Sequence, residues 1–268
     1  MSDTSQAARY PLTATQRSSF AEDGHILLRG VASADQIIGR RGAIEQRCLL
    51  QTTEQREMSD RDTYGKAFLQ VTNLWTRDDI VKQFVFDWRS AQLAADLLGV
   101  ERVRLYHDQA LFKEPGGGMT PWHQDQFYWP LDTDRTITMW IPLIDIDASM
   151  GMMRFASGSH IRGPVASVEI SDDSQAIYDT YIRENAFSIA STGPMSAGDA
   201  TFHRGWTIHG ADPNTSSKMR SVMTIIYFAD GARVTHPTSE FQQADRDTWL
   251  DGKEAGELAD GPLNPVLN

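Results

Sequence analysis

An all-β core with flanking helices, arranged as an antiparallel sandwich or small barrel, is the fold class that this 268-residue sequence predicts. Three observations carry it. Helical spacing of apolar residues dominates up to Gly99; short β-prone runs separated by Gly, Pro, Asp and Asn follow; and no strand–helix–strand alternation joins them. A barrel of this length commonly forms one unit, against a prior of about 150 residues per domain. We therefore expect a single domain over residues 1–268: a helical brace to about residue 100, the β core over about 101–230, and a tail over 231–268.

Each element has a local reason. Thr13 or Thr15 caps a short helix through Phe20, and Gly24 ends it before a strand at residues 25–28. Ser33 caps a longer helix with Ile37, Ile38, Ile44 and Leu49 at near-helical spacing. A further helical stretch carries Phe84, Leu93, Ala94, Leu97 and Leu98 and stops at Gly99. Strands are expected over 103–113, 136–144, 152–155, 187–189, 200–203 and 221–228. The polar stretches 58–73 and 165–185 are long for connections and read as lids, binding loops or plain surface. The tail from Gly231, rich in Gly, Pro and Asp, is expected to wrap the surface.

Composition narrows the function classes. With 40% hydrophobic and 23% charged residues, neither disorder nor a fibrous repeat fits. The 25 basic and 36 acidic residues give a net charge of −11, which argues against a broad nucleic-acid surface. No run approaches the roughly 20 apolar residues of a membrane span. The first residues lack an apolar core behind a basic head, so no secretory signal is expected and a cytoplasmic location is the default. A single cysteine, Cys48, excludes an intrachain disulfide and a thiolate zinc cluster, so any metal must draw on the seven histidines and the carboxylates.

The sharpest local feature is Trp122-His123-Gln124-Asp125. Residues two apart on an extended chain share a face, so His123 and Asp125 can present an imidazole and a carboxylate side by side. Such a pair is common by chance and needs a third ligand. His209, just before the turn-like Asp212-Pro213-Asn214, is the best candidate. Two histidines and one carboxylate on one face leave open positions, the arrangement of non-haem Fe(II) oxygenases, although zinc could take the same ligands. Arg220 opens the next apolar strand, where a guanidinium can grip a carboxylate through two parallel hydrogen bonds; alone it would pass for an ordinary surface arginine.

With these residues in place the sequence resembles the phytanoyl-CoA dioxygenase family of Fe(II)/2-oxoglutarate-dependent oxygenases. The resemblance runs from Phe20-Ala21-Glu22-Asp23-Gly24 through Lys113-Glu114-Pro115, the His123-Gln124-Asp125 tripeptide, Trp140 and Gly158-Ser159-His160 to His209-Gly210, Asn214 and Arg220. It implies a double-stranded β-helix, a cupin-like jelly roll whose mouth holds iron, with 2-oxoglutarate as co-substrate and O2 as oxidant. It also implies oxidation of a small molecule with release of succinate and CO2. By position, His123, Asp125 and His209 match the family's iron ligands, and Arg220 matches the residue that binds the distal carboxylate of 2-oxoglutarate. Gln109 and Trp140 fall where the family lines the co-substrate pocket, and Gln124 where an amide often sits near the iron. Related halogenases have a small residue at the position of Asp125, so the retained carboxylate favours hydroxylation or another oxidation.

Two departures bear on the finer contacts. Phe112-Lys113-Glu114-Pro115 stands where the family often has Asn-Lys-Pro-Pro, and Ala211 where many members carry a small hydroxyl residue. Phe127, Tyr128 and Trp129 either wall a substrate pocket or simply pack after the turn. Strand alternation puts His107 on the side of Gln109, facing the pocket, though a core role is the commoner one for such a histidine. The competing function is a non-oxidative metal enzyme, an isomerase or hydrolase, on a similar barrel. A carboxylate clamp at Arg220 has no use there.

Overall fold

A computed structural model describes residues 9–268, which form two antiparallel sheets with helices outside them. Thr13 caps α1 (Ala14–Asp23), Gly24 in the left-handed conformation ends it, and β1 (His25–Leu28) follows at once. Ser33 caps α2 (Ala34–Gln51) with Gln36 reaching back to the cap backbone. The stretch read as one helix before Gly99 is two, α4 (Asp79–Val85) and α5 (Trp88–Leu98). The break lies at Asp87, whose carboxylate accepts the Ser90 N–H and starts a new helix.

The larger sheet has the order β1-β8-β5-β10-β3-β2 and the smaller β4-β9-β6-β7. The larger comprises, besides β1, β2 (Leu69–Thr72), β3 (Val103–Phe112), β5 (Thr136–Pro142), β8 (Ala200–Arg204) and β10 (Val222–Ala229). The smaller comprises β4 (Thr120–His123), β6 (Met153–Ala156), β7 (Ile189–Ser191) and β9 (His209–Ala211). Four elements lie in stretches read from the sequence as loops or tail. The polar stretch 58–73 holds α3 (Thr63–Ala67) and β2; the stretch 165–185 holds α6 (Asp172–Glu184); and the tail holds α7 (Glu240–Trp249).

Alternation on the larger sheet sorts its side chains between two environments. Ile137, Met139, Ile141, Phe202, Met223 and Ile225 face outward into the main core with α2, α4 and α5. Thr138, Trp140, His203, Thr224 and Ile226 face inward toward the smaller sheet and line a cavity between the two. A bulge sets the phase on β3: Ile226 pairs with His107 but Tyr227 pairs with Leu105, leaving Tyr106 unpaired. Val103 and Leu105 thus join the helical core, while His107, Gln109 and Leu111 line the cavity. The tail packs Val234, Leu250 and Ala259 against Tyr106 and Phe228, so it is part of the core and not a surface wrap.

Asp108, wholly buried on the outward side of β3, accepts the Leu74 N–H (3.1 Å) and the Trp75 N–H (3.4 Å), closing the turn after β2. Burial outweighs these bonds and raises its carboxyl to about 7. The folded state therefore holds a proton that the unfolded chain releases near its ordinary value of 3.8, and this group's contribution to stability falls as pH rises from there to about 7. Asp108→Ala should cost about 1–3 kcal/mol through the two orphaned N–H groups. Asp108→Asn should instead flatten the pH dependence, and urea titrations at pH 5 and pH 8 measure both effects.

Candidate metal centre and cavity

His123 and His209 are direct partners across β4 and β9, and Phe155 of β6 pairs with His209 from the other side. The close approach of β4 and β9 requires Gly210: a Cβ there would lie 2.7 Å from the Thr120 carbonyl oxygen. The two rings are 4.1 Å apart by centroid. Each imidazole is oriented by its own backbone. His123 Nδ1 donates to the Pro121 carbonyl (2.8 Å) and His209 Nδ1 to the Thr207 carbonyl (2.9 Å), which leaves both Nε2 lone pairs free.

Those nitrogens point at Asp125 Oδ1, at 3.5 Å from His123 and 3.6 Å from His209. The other carboxylate oxygen is already engaged. Asp125 Oδ2 accepts the Thr138 hydroxyl (2.8 Å) and lies 3.2 Å from His203 Nε2. His123, Asp125 and His209 place one donor atom each within 4.8 Å of one another. Two neutral imidazoles and a single carboxylate oxygen on one side suit a divalent first-row metal with open positions opposite. Burial, reinforced by His123 and His203, pushes the His209 pKa well below the usual histidine range, so the ring stays in its ligand form.

Further along the cavity Arg220 is almost fully buried, with its guanidinium 5.2 Å from the Trp140 ring and one nitrogen bonded to the Gly151 carbonyl. Gly151, at φ +81°, is required there, since a Cβ would meet the Asp212 carbonyl oxygen at 2.5 Å. Among the described residues no carboxylate lies within ion-pair distance of Arg220, and its Nε has no partner. Burial lowers its pKa to about 9. Lys113, directly behind, donates to Thr120 Oγ1 (3.3 Å) and to the Gly118 carbonyl. Burial and then Arg220 push its pKa down to about 6, which leaves Arg220 as the cation at this end. A buried, unpaired guanidinium is costly and calls for an anionic guest.

The cavity has a volume of about 870 Å³, and Gln109, Trp140, Tyr128, Trp129 and His107 line it. Gln124 and Phe127 do not. The Gln124 amide donates to the Gly163 and Trp206 carbonyls and accepts from Val165 N, fastening the segment before α6. Alternation turns it to the face opposite His123 and Asp125. Phe127 packs behind the wall on Phe241 and Tyr128. Arg104 and Arg154 are paired with Asp230 and Asp212. His160 braces α1 instead, with Nε2 3.2 Å from the Ala21 carbonyl.

Sequence reasoning missed His203, which passes for an ordinary core histidine on a strand, and Asp245 on α7. The signal for His203 was its alternation with Phe202, which turns it inward. Asp245 shares an i, i+4, i+8 stripe with Phe241 and Trp249, and all three line the cavity.

Fold and site together define a candidate metal centre of two histidines and one carboxylate between antiparallel sheets, beside a buried cation. The sequence pattern of the phytanoyl-CoA dioxygenase family matches residues 20–222, and the chain belongs to that family. It is a 2-oxoglutarate-dependent dioxygenase, an oxidoreductase using Fe(II), 2-oxoglutarate and O2. A probable alpha-ketoglutarate-dependent hypophosphite dioxygenase of Stutzerimonas stutzeri is 27% identical over 82% of this chain and 79% of its own length. A phytanoyl-CoA dioxygenase domain-containing protein 1 of Bos taurus is 22% identical over 89% of this chain and 94% of its own. Among solved structures, the carbocyclase SnoK from nogalamycin biosynthesis superposes with a TM-score of 0.79 at 23% identity, covering 96% of this chain and 97% of that one. The epimerase SnoN, solved with Fe3+, alpha ketoglutarate and nogalamycin RO, gives 0.78 at 22%, covering 94% and 97%.

If His203 and Thr138 hold Asp125 to a single free oxygen, His203→Ala should weaken iron binding by about 10–100-fold. Thr138→Ala should act in the same direction. Iron titration of the metal-free protein checks both; unchanged affinity in both variants would mean that Asp125 is oriented without them.

Proposed function

We propose that the chain oxidises an unactivated C–H bond of a small organic molecule, most simply by hydroxylation, at iron held by His123, Asp125 and His209. The single observation that carries this reading is the unpaired, buried Arg220 guanidinium in the same cavity as the three ligands. A metal hydrolase needs no carboxylate clamp for its chemistry, whereas the distal carboxylate of 2-oxoglutarate supplies the missing charge. We read the two sheets as a double-stranded β-helix, or jelly roll, and the whole chain as one oxygenase domain in the cytoplasm. No helix among the described residues is long and apolar enough to cross a membrane.

Bound iron, 2-oxoglutarate and O2 supply the oxidising chemistry, and 2-oxoglutarate leaves as succinate and CO2. The protein's part is positional. His123 and His209 offer Nε2 because their Nδ1–H groups are held by backbone carbonyls, and Asp125 offers Oδ1 because Oδ2 is occupied. Arg220, stacked on Trp140, fixes the far end of the co-substrate, with Gln109 along the wall. Trp129 and Tyr128 exclude water from the reacting side. The relative's name specifies hypophosphite, a small inorganic anion; a cavity of about 870 Å³ walled by aromatic rings suits a larger organic body.

Protein mixed without air with Fe(II) and 2-oxoglutarate should show the weak visible charge-transfer band of the chelate. Iron-loaded, folded protein that gives no band would sink the reading. His209→Ala should abolish succinate formation. Arg220→Ala should raise the 2-oxoglutarate concentration required by about 30-fold or more, reflecting the ~2–5 kcal/mol lost when one partner of a buried charge pair is truncated.

A further inference from the structure

The wall of the cavity contributed by α7 is unlike the end held by Arg220. Phe241, Asp245 and Trp249 form one stripe along the helix, and all three line the cavity, with Phe241 against the Tyr128 ring. Asp245 is held in place: its Oδ2 accepts the Tyr106 hydroxyl at 2.7 Å, and among the described residues no cation pairs with it. Beside it His107, only 4% exposed, stands 5.2 Å from the Trp249 ring with Nδ1 unpartnered. The rim adds Asp62, Glu169, Asp172 and Asp173, and Arg220 is the one Lys or Arg among the lining residues. An acid between aromatic faces, in a cavity whose single fixed cation is matched to the co-substrate, is a binding site for positive charge.

Resting on the oxygenase reading above, we propose that the substrate is an organic cation, an ammonium group on an apolar body. Its charged nitrogen sits against Asp245 between Phe241 and Trp249. Burial raises the Asp245 carboxyl to about 7, against hydrogen bonds from Tyr106 and Trp249, so the empty site bears a cost that a bound cation relieves. α7 lies beyond residues 20–222, which match the family pattern, so the element that selects the substrate belongs to this chain's own C-terminal segment. His107, neutral because burial lowers its pKa to about 4, can accept or donate one further hydrogen bond beside the charge.

The probes are benzyltrimethylammonium, which cannot ligate iron, and dimethylbenzylcarbinol, a neutral alcohol of nearly the same shape. Each is titrated without air into the protein loaded with Fe(II) and 2-oxoglutarate, and separately into metal-free protein, with tryptophan fluorescence as the binding signal. The cation should bind about tenfold more tightly than the alcohol in both forms and should perturb the visible band. Asp245→Asn, which still accepts the Tyr106 hydroxyl, should bring the two probes to parity. Tyr106→Phe, which loosens the helix anchor but keeps the charge, should leave the preference intact. The assignment is overturned if the native protein binds neither probe or both equally, or if the preference survives in Asp245→Asn. Loss of the band without any added probe counts against the oxygenase reading instead.

Discussion

The direct pairing of His123 with His209 across β4 and β9 is the constraint on which the remaining site geometry depends. Each strand is short, so the register is set by few bonds, and a slip of one residue in either strand would turn its imidazole away from the other. Gly210 permits the approach, and Phe155 flanks His209 from the third strand. With the rings fixed, the orientation of Asp125 follows from the facing sheet. Thr138 and His203, inward residues of β5 and β8 that are themselves register partners, occupy one carboxylate oxygen from behind. The site is thus assembled from both sheets, and its donors are set before any metal arrives.

Preorganisation of this kind carries a cost that the helical layer offsets. The larger sheet turns Thr138, His203 and Thr224 into the cavity beside Trp140 and Ile226, so part of that face is given over to polar groups. The opposite face compensates: α2, α4 and α5 cover Ile137, Met139, Phe202, Met223 and Ile225 in one continuous core. The bulge at Tyr106 reconciles the two demands within β3. It lets Leu105 join the helical core while His107 and Gln109, on the same strand, keep their cavity positions.

Elements with a strong local cause were legible in the sequence. Thr13 and Gly24 bound α1, Ser33 starts α2, and β1 falls where expected because each boundary rests on a cap or a left-handed glycine. The histidine–carboxylate spacing was legible for the same reason. What escaped prediction lacks a hydrophobic period. β9 is His-Gly-Ala and β4 contains Pro121, so neither alternates, and both exist because the opposing strand holds them. α6 buries little beyond Tyr178 and Ile182, and α7 directs Phe241 and Trp249 at a cavity instead of a core. Gln124 was misplaced because motif position fixes a residue's neighbours in sequence, whereas alternation fixes its face.

Charge shows how a global sum and a local site can diverge. A net charge of −11 over the chain is a statement about solubility and long-range repulsion of polyanions. Within the cavity the same sign becomes structured. One end holds a lone buried guanidinium that requires an anion; the other holds a carboxylate among aromatic rings that requires a cation. His123, Asp125 and His209 lie in the same space. A co-substrate and a substrate of opposite charge are then sorted by the cavity before either reaches the iron, because each is repelled from the other's end. Removing the charge at either end should scramble that sorting without moving a metal ligand, since Arg220 and Asp245 both lie outside the hydrogen-bond set that fixes His123, Asp125 and His209.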